Sequence, residues 1–252
     1  MSLNFQEGTP IARIITGTFK NKIIYISTED KSDDTDFLGT KKIDLKKDSL
    51  EPILNPDERT VTYIAGPAGS GKSTIAAQLI GVFKKLHPKS NVYFFSRTDY
   101  KDDPAYAHLK LKQITLDDSL VTEPIDITEI ENQAMVVFDD TNTIIDKHIK
   151  EAVEALIADI LEVGRKLNLS IIITSHLINS GGKLTRTILN ELQSLIVYPS
   201  SGSAYQIRYV LKQYFGLDHK QIDTILKLPS RWVMIRKNYP TTIVYSHGVY
   251  IL

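Results

Sequence analysis

Val61-Thr62-Tyr63-Ile64-Ala65-Gly66-Pro67-Ala68-Gly69-Ser70-Gly71-Lys72-Ser73-Thr74 decides the fold. Its first five residues are mostly branched or aromatic and end at a glycine, which predicts a buried strand over Val61 to Ala65. The next eight match G-x-x-x-x-G-K-[ST]. Residues Lys72 to Leu86 then read as a helix that His87-Pro88 terminates. Strand, glycine-rich turn and helix in this order make a phosphate cradle, because glycines reach positive φ and let successive backbone N–H groups point inward. Gly66, Pro67, Ala68, Gly69, Ser70, Gly71, Lys72, Ser73 and Thr74 are therefore the expected nucleotide-binding residues. Lys72 is expected to bridge the β- and γ-phosphates and Ser73 to ligate Mg²⁺, so ATP and Mg²⁺ are the expected cofactors.

Beyond the cradle, strands and helices alternate. Asn91 to Ser96, Ala134 to Asp139 and Ser170 to Ser175 read as strands, with a weaker one over Lys112 to Leu116. Thr143 to Leu167 places Ile145, Ile149, Val153, Leu156, Ile160 and Leu167 at helical spacing. Ser194 to Tyr198 reads as a further strand and Ile207 to Tyr214 as the start of a helix or a last connecting element. Trp232 to Ile235 and Thr242 to Tyr245 flank Asn238-Tyr239-Pro240 as a C-terminal β hairpin. The alternation predicts an α/β fold with a mainly parallel sheet and helices on both faces. Before the cradle, residues 11 to 26 read as a β hairpin turning at Lys20-Asn21-Lys22, and Lys42 to Leu45 adds a short strand. Thr28 to Asp57 is acidic first and basic afterwards, the pattern of a solvated linker. The expected division is a small N-terminal β segment with its linker over 1–58 and a motor domain over 59–252.

Two further strand ends carry chemistry. Met135-Val136-Val137-Phe138-Asp139-Asp140 puts two acids after a buried strand. Asp139 is expected in the Mg²⁺ shell and Asp140 as the base that polarises water, which is hydrolysis rather than transfer to a bound hydroxyl. Read alone, the pair could also cap the following loop with Thr141-Asn142. Gly164-Arg165-Lys166 leads into Ile171-Ile172-Ile173-Thr174-Ser175-His176, which delivers His176 beside the γ-phosphate position, where it can tell ATP from ADP. Arg165, at a helix C-terminus, fits a catalytic arginine or a cation that complements the helix dipole. Arg97 follows the second strand at the edge where ligands bind in open α/β sheets, as a phosphate or subunit contact or a solvated cation.

Composition bounds the rest. The 252 residues, 42% hydrophobic and 24% charged, suffice for one large α/β domain with a small appendage and exclude a disordered tail protein. Thirty basic and thirty acidic residues give zero formal charge, yet nine basic and only three acidic residues lie from Lys183 onward. The last seventy residues thus carry +6 and the remainder −6. Cysteine is absent, which removes disulfides, thiolate catalysis and Cys-ligated zinc. With neither a signal peptide nor an apolar run near the roughly 20 residues of a membrane span, a soluble intracellular protein is expected.

These residues resemble the FtsK–HerA superfamily of P-loop ATPases, and more narrowly the poxvirus-type genome-packaging ATPases of large DNA viruses and virophages. The cradle at Gly66 to Ser73, the acids at Asp139-Asp140, the Gly164 to His176 segment, and the tail Ser230-Arg231-Trp232-Val233 with Asn238-Tyr239-Pro240 carry the resemblance, over Val61 to Leu252. It implies a RecA-like (ASCE) core and a barrel-like N-terminal appendage. It also implies an ATP-hydrolysing translocase that packages a viral double-stranded DNA genome, working as a homo-oligomeric ring, a hexamer or pentamer. The implied partners are double-stranded DNA, bound without sequence preference, and capsid-vertex proteins. The implied location is the viral factory in host cytoplasm, the virion, or both. Hydrolysis at subunit interfaces implies an arginine acting in trans, Arg165 before Arg186, with Arg97 the remaining candidate. Many relatives carry Gln where this chain has His176. The loops after His176 and Tyr198, including Ser180 to Arg186, read as flexible basic segments that grip phosphates. A small-molecule P-loop kinase and a nucleotide-gated assembly scaffold are the alternatives.

Overall fold

The computed structural model describes residues 1–27, 40–55 and 58–252, so residues 28–39 and 56–57 of the expected linker lie outside the described residues. Residues 40–55 are not a solvated linker but form two short strands and bury Ile43, Leu50, Ile53 and Leu54. The chain begins with five strands, β1 (Ser2–Asn4), β2 (Thr9–Ile14), β3 (Ile23–Ser27), β4 (Lys42–Asp44) and β5 (Leu50–Pro52). It continues with β6 (Val61–Ala65), α1 (Lys72–Leu86), β7 (Val92–Ser96), β8 (Lys112–Thr115), α2 (Ser119–Thr122), β9 (Met135–Phe138), α3 (Lys147–Glu162), β10 (Ser170–Ser175) and α4 (Lys183–Glu191). The last elements are β11 (Ser194–Val197), α5 (Ala204–Phe215), α6 (His219–Leu226), β12 (Val233–Arg236), β13 (Thr242–Tyr245) and β14 (Gly248–Ile251). Two compact units result, Pro56–Leu192 and the combination of Met1–Asn55 with Gln193–Leu252. The sequence division at 58 and 59 groups Gln193–Leu252 with the motor; by compactness these residues group with the N-terminal strands.

In the unit Pro56–Leu192, five parallel strands lie in the order β6-β10-β9-β7-β8. Every residue of β6, β9 and β10 is buried, which is why these strands read as continuous runs of branched residues rather than as alternation. The step from β6 to β7 runs across the sheet in one direction and the step from β9 to β10 in the other. Right-handed crossovers then place α1 and α3 on opposite faces. Ser175 pairs with Ala65 and Ile173 with Phe138, so the loops after β6, β9 and β10 leave from the same edge.

α3 is shorter than the Thr143 to Leu167 expectation. The Asp146 carboxylate accepts hydrogen bonds from the N–H groups of His148 (2.8 Å) and Ile149 (3.0 Å), a cap that starts the helix after Ile145. Ile145 is 90% exposed, and the buried stripe is Val153, Leu156, Ile157, Ile160 and Leu161. At the other end, a Cβ on Gly164 would lie 2.4 Å from the Ile160 carbonyl oxygen, so the chain can turn away only through glycine and Leu167 falls in the loop. The flexible segment expected over Ser180 to Arg186 is also corrected. Gly181-Gly182 is a turn, but Lys183 onward is α4, anchored by buried Thr185, Ile188 and Leu189.

In the other unit, β1-β3-β2-β5 form an antiparallel sheet and β11-β12-β13-β14-β4 a second antiparallel series. The N-terminal hairpin is β2 with β3, and Asn21 adopts φ 72° in its turn. The C-terminal hairpin, β12 with β13, extends into β14, which pairs with β4. Strands of three or four residues such as β1, β5 and β14 carry too little pattern to be read alone. Among the described residues no helix is long and apolar enough to cross a membrane.

Candidate active site

The glycine-rich turn spans Gly66 to Gly71. Gly69 and Gly71 have φ of 73° and 106°, a region that costs any residue with a Cβ, and Gly71 sits immediately before α1. The Gly66 N–H donates to the Ser175 carbonyl (3.0 Å), which ties the start of the turn to the end of β10. Lys72 opens α1 and its side chain is only 7% exposed. Its Nζ lies 3.4 Å from the Pro67 carbonyl oxygen, 3.5 Å from His176 Nδ1 and 3.7 Å from Asp140 Oδ1. The ammonium is therefore held at the open side of the turn, with its stem packed. Ser73 is half-buried, Thr74 and Ala68 are exposed, and Ser70 is buried.

Successive side chains of a strand point to opposite faces, so two adjacent acids ordinarily diverge. Here Asp140 takes φ 46° and ψ 37°, the left-handed region that Asp tolerates better than most residues, and the alternation breaks. Both carboxylates then converge on Thr174. The Thr174 hydroxyl accepts from the Asp140 N–H (2.8 Å) and stands 2.9 Å from Asp139 Oδ1 and 3.2 Å from Asp140 Oδ1, with one proton to share between them. His176 Nε2 lies 3.0 Å from Asp140 Oδ2, and its backbone N–H donates to the Asn142 side chain (3.4 Å).

Asp139 is the more enclosed acid. Burial raises its pKa above the ordinary carboxylate value, the neighbouring Asp140 charge adds to this, and hydrogen bonds from Thr174 and Tyr106 partly offset it. The Tyr106 hydroxyl donates to Asp139 Oδ1 at 3.0 Å and also meets the Ser73 side chain. Tyr106 is fully buried, and burial together with the Asp139 charge holds its phenol well above its ordinary pKa, so it stays a donor. The sequence offered little sign of this residue. It follows Asp102-Asp103-Pro104-Ala105 in the connection from β7 to β8 and looks solvated, yet its ring packs edge-on against Phe94, centroids 4.8 Å apart. Thr174 belonged to a strand already quoted, but its coupling of the two acids was equally hidden.

The structure thus brings together Gly66, Lys72, Asp139, Asp140 and His176. The arginines are elsewhere. Arg165 is exposed in the turn after α3, ahead of the amino end of β10, while Ser175 at the carboxyl end meets the glycine turn. Six strand residues separate the two, roughly 20 Å. Arg186 is exposed on α4. Arg97 follows β7 at the same edge as the cradle and donates to the Thr143 carbonyl at 3.3 Å.

A metal ion has a fitting but partial donor set. Among the described residues no group of three or more His, Cys, Asp or Glu could hold a metal by itself. The half-buried Asp139 carboxylate and the Ser73 hydroxyl, both reached by Tyr106, instead offer the oxygen donors that suit Mg²⁺, an ion that completes its shell with water and phosphate oxygens.

A strand, a glycine turn carrying lysine, and a second strand ending in acids define a P-loop protein, and the fold is similar to that of solved P-loop ATPases. More particularly, the chain belongs to the family of the Sputnik virophage protein V3, named an uncharacterized protein, with which it is 42% identical over 249 residues, 98% of this chain and 97% of the relative. The genome-packaging NTPase B204 of Sulfolobus turreted icosahedral virus 2, solved with ATP-γ-S, superposes with a TM-score of 0.50 at 13% identity, covering 79% of this chain and 98% of B204. The cytoplasmic domain of the Thermomonospora curvata type VII secretion ATPase EccC gives 0.51 at 13% identity, covering 81% of this chain and 28% of EccC. No protein-family model matches the chain.

Proposed function

We propose that the chain is an ATP-hydrolysing motor that translocates double-stranded DNA during viral genome packaging, acting as a homo-oligomeric ring with 59–252 as its motor. The observation that carries this reading is the convergence of Lys72, Asp139, Asp140 and His176 around one glycine turn at the carboxyl edge of a parallel sheet. Support also comes from B204, a genome-packaging NTPase of the same fold, and from family membership with a virophage protein.

In this reading the backbone N–H groups of Gly66 to Ser73 and the Lys72 ammonium bind the phosphates of ATP. Ser73 and Asp139 would hold Mg²⁺, which supplies charge neutralisation at the phosphates when bound. Tyr106 and Thr174 fix the Asp139 carboxylate toward that position. Asp140 orients the attacking water and takes its proton, while His176 holds the far oxygen of Asp140 and senses the γ-phosphate. A γ-phosphate that draws the Lys72 ammonium from its place 3.7 Å from Asp140 Oδ1 leaves that carboxylate free to act as a base. The neighbouring subunit supplies Arg165, which stands too far from the cradle of its own chain to reach it. The site of action is the infected host cell, with capsid proteins as docking partners.

The deciding assay is ATP hydrolysis by the assembled protein with and without duplex DNA of arbitrary sequence. Stimulation by DNA is expected, and no turnover under either condition would sink the reading. Two variants test its parts. Tyr106→Phe is expected to raise the Mg²⁺ concentration for half-maximal turnover roughly tenfold, with nucleotide affinity in the absence of Mg²⁺ unchanged; an unaltered Mg²⁺ titration removes Tyr106 from the site. Mixing Arg165→Ala chains with Asp140→Asn chains is expected to restore part of the activity that each lacks alone, because some interfaces then pair an intact arginine with an intact base. Mixtures as inactive as their components would reject a trans role for Arg165.

A further inference from the structure

The connection between β11 and β12 is far longer than its ends require. Val197 pairs directly with Val233 in antiparallel register, a geometry that a two-residue turn can join. The chain instead makes an excursion over residues 198–232 that contains α5 and α6. Two helices are thus inserted where closing the sheet does not require them, and their purpose has to be read from their surface.

The composition of the excursion points to that purpose. α5 buries Ile207, Val210 and Leu211 on one side. Its other side sets Tyr205, Arg208, Tyr209 and Lys212 at i, i+3, i+4 and i+7, one stripe along the helix. All four are exposed, Tyr205 at 79% and Tyr209 at 42%, far more than an aromatic ring retains for packing. Two carboxylates occur in the excursion and both are committed locally. Asp218 caps α6 by accepting from the Gln221 N–H at 2.8 Å, and Asp223 pairs with Arg208 at 2.5 Å. Among the described residues Lys212 and Lys220 have no ion pair. The stripe spans about 10 Å of helix, the axial length of about three phosphates along one strand of B-DNA.

We propose that this face of α5 is a contact surface for the DNA backbone, with Lys212 set against a phosphate and the Tyr205 and Tyr209 hydroxyls donating to phosphate oxygens. Contacts of this kind position a duplex without reading its sequence. The assignment rests on the proposed function only in taking duplex DNA as the partner.

The test is binding of a fluorescent duplex to the assembled full chain, followed by anisotropy between about 50 and 200 mM salt. Lys212→Ala is expected to reduce the slope of log affinity against log salt by about one. Tyr205→Ala with Tyr209→Ala is expected to weaken binding roughly tenfold while leaving that slope unchanged, since neither side chain is charged. ATP hydrolysis without DNA serves as the folding control and should match the parent chain in both variants. Parent-like affinity and slope in both variants overturn the assignment and leave the proposed function standing. Parent-like DNA affinity with a smaller oligomer by sedimentation also overturns it, in favour of a contact between copies of this chain. A parent chain that is assembled and hydrolyses ATP but binds no duplex removes the DNA partner and this surface together.

Discussion

Lys72→Ala is expected to lower ATP turnover by roughly a thousandfold or more, since a donor aimed at developing charge accounts for that much and this one is also a cation. The ammonium is held by geometry that no neighbour can replace. Its stem is buried, its Nζ reaches the Pro67 carbonyl, His176 and Asp140, and Arg97, at the same edge of the sheet, donates to Thr143. The backbone N–H groups of the turn survive the substitution, so nucleotide should still bind, though more weakly. Lys72→Arg should fare little better, because a planar fork does not fit where a compact charge sits. Stability should change little: the Lys72–Asp140 pair is 3.7 Å long and Asp140 is one third exposed, so solvent screening limits its worth to about 1 kcal/mol or less. Steady-state hydrolysis, nucleotide titration and thermal unfolding of the variant check the three statements. Turnover near the parent rate would remove Lys72 from the mechanism.

Asp140→Asn is expected to cost between about a hundredfold and ten-thousandfold in kcat, the range for losing a positioned general base, with nucleotide affinity nearly unchanged. Asparagine is the informative replacement because it tolerates the left-handed backbone at this position, φ 46°, and keeps an oxygen for Thr174. Only the proton-accepting charge is lost. Alanine would change the backbone preference as well and blur the result. The substitution also removes the like charge that adds to burial in raising the pKa of Asp139, so that pKa should fall toward the ordinary carboxylate value. Single-turnover hydrolysis alongside equilibrium binding separates the chemical step from binding. Equal losses in both would assign Asp140 to nucleotide binding.

The legible parts of this molecule are those whose conformation is encoded within a few residues. The glycine turn is one, since its backbone angles need particular residue types; the buried strands ending at Ala65, Phe138 and Ser175 are others, because burial on both faces leaves uninterrupted branched runs. Asp139, Asp140 and His176 were readable as strand ends and do meet there. Tyr106 was not readable, because only packing on Phe94 turns a polar-looking connection inward. The convergence of two adjacent acids depends on one left-handed residue, which a strand pattern does not announce. α4 and α6 were missed for different reasons. Gly181-Gly182 suggested a loose loop, and the Asp218 and Gln221 capping box that starts α6 stands in a segment too short to show periodicity.

The pairing of β4 with β14 has a consequence for how the chain matures. Gly248 lies opposite Asp44 and Tyr250 opposite Lys42, and the Leu50 N–H donates to the Ser246 carbonyl, so strands made early are completed by residues about two hundred positions later in the chain. Contacts of such separation close late, because a long loop must be ordered before they form. The contiguous stretch Pro56–Leu192 can acquire its parallel sheet while still attached to the ribosome, whereas the edge of β4 stays unmatched until Gly248 to Tyr250 emerge. A nascent chain arrested shortly before Gly248 should therefore carry a protease-resistant middle and a protease-sensitive beginning.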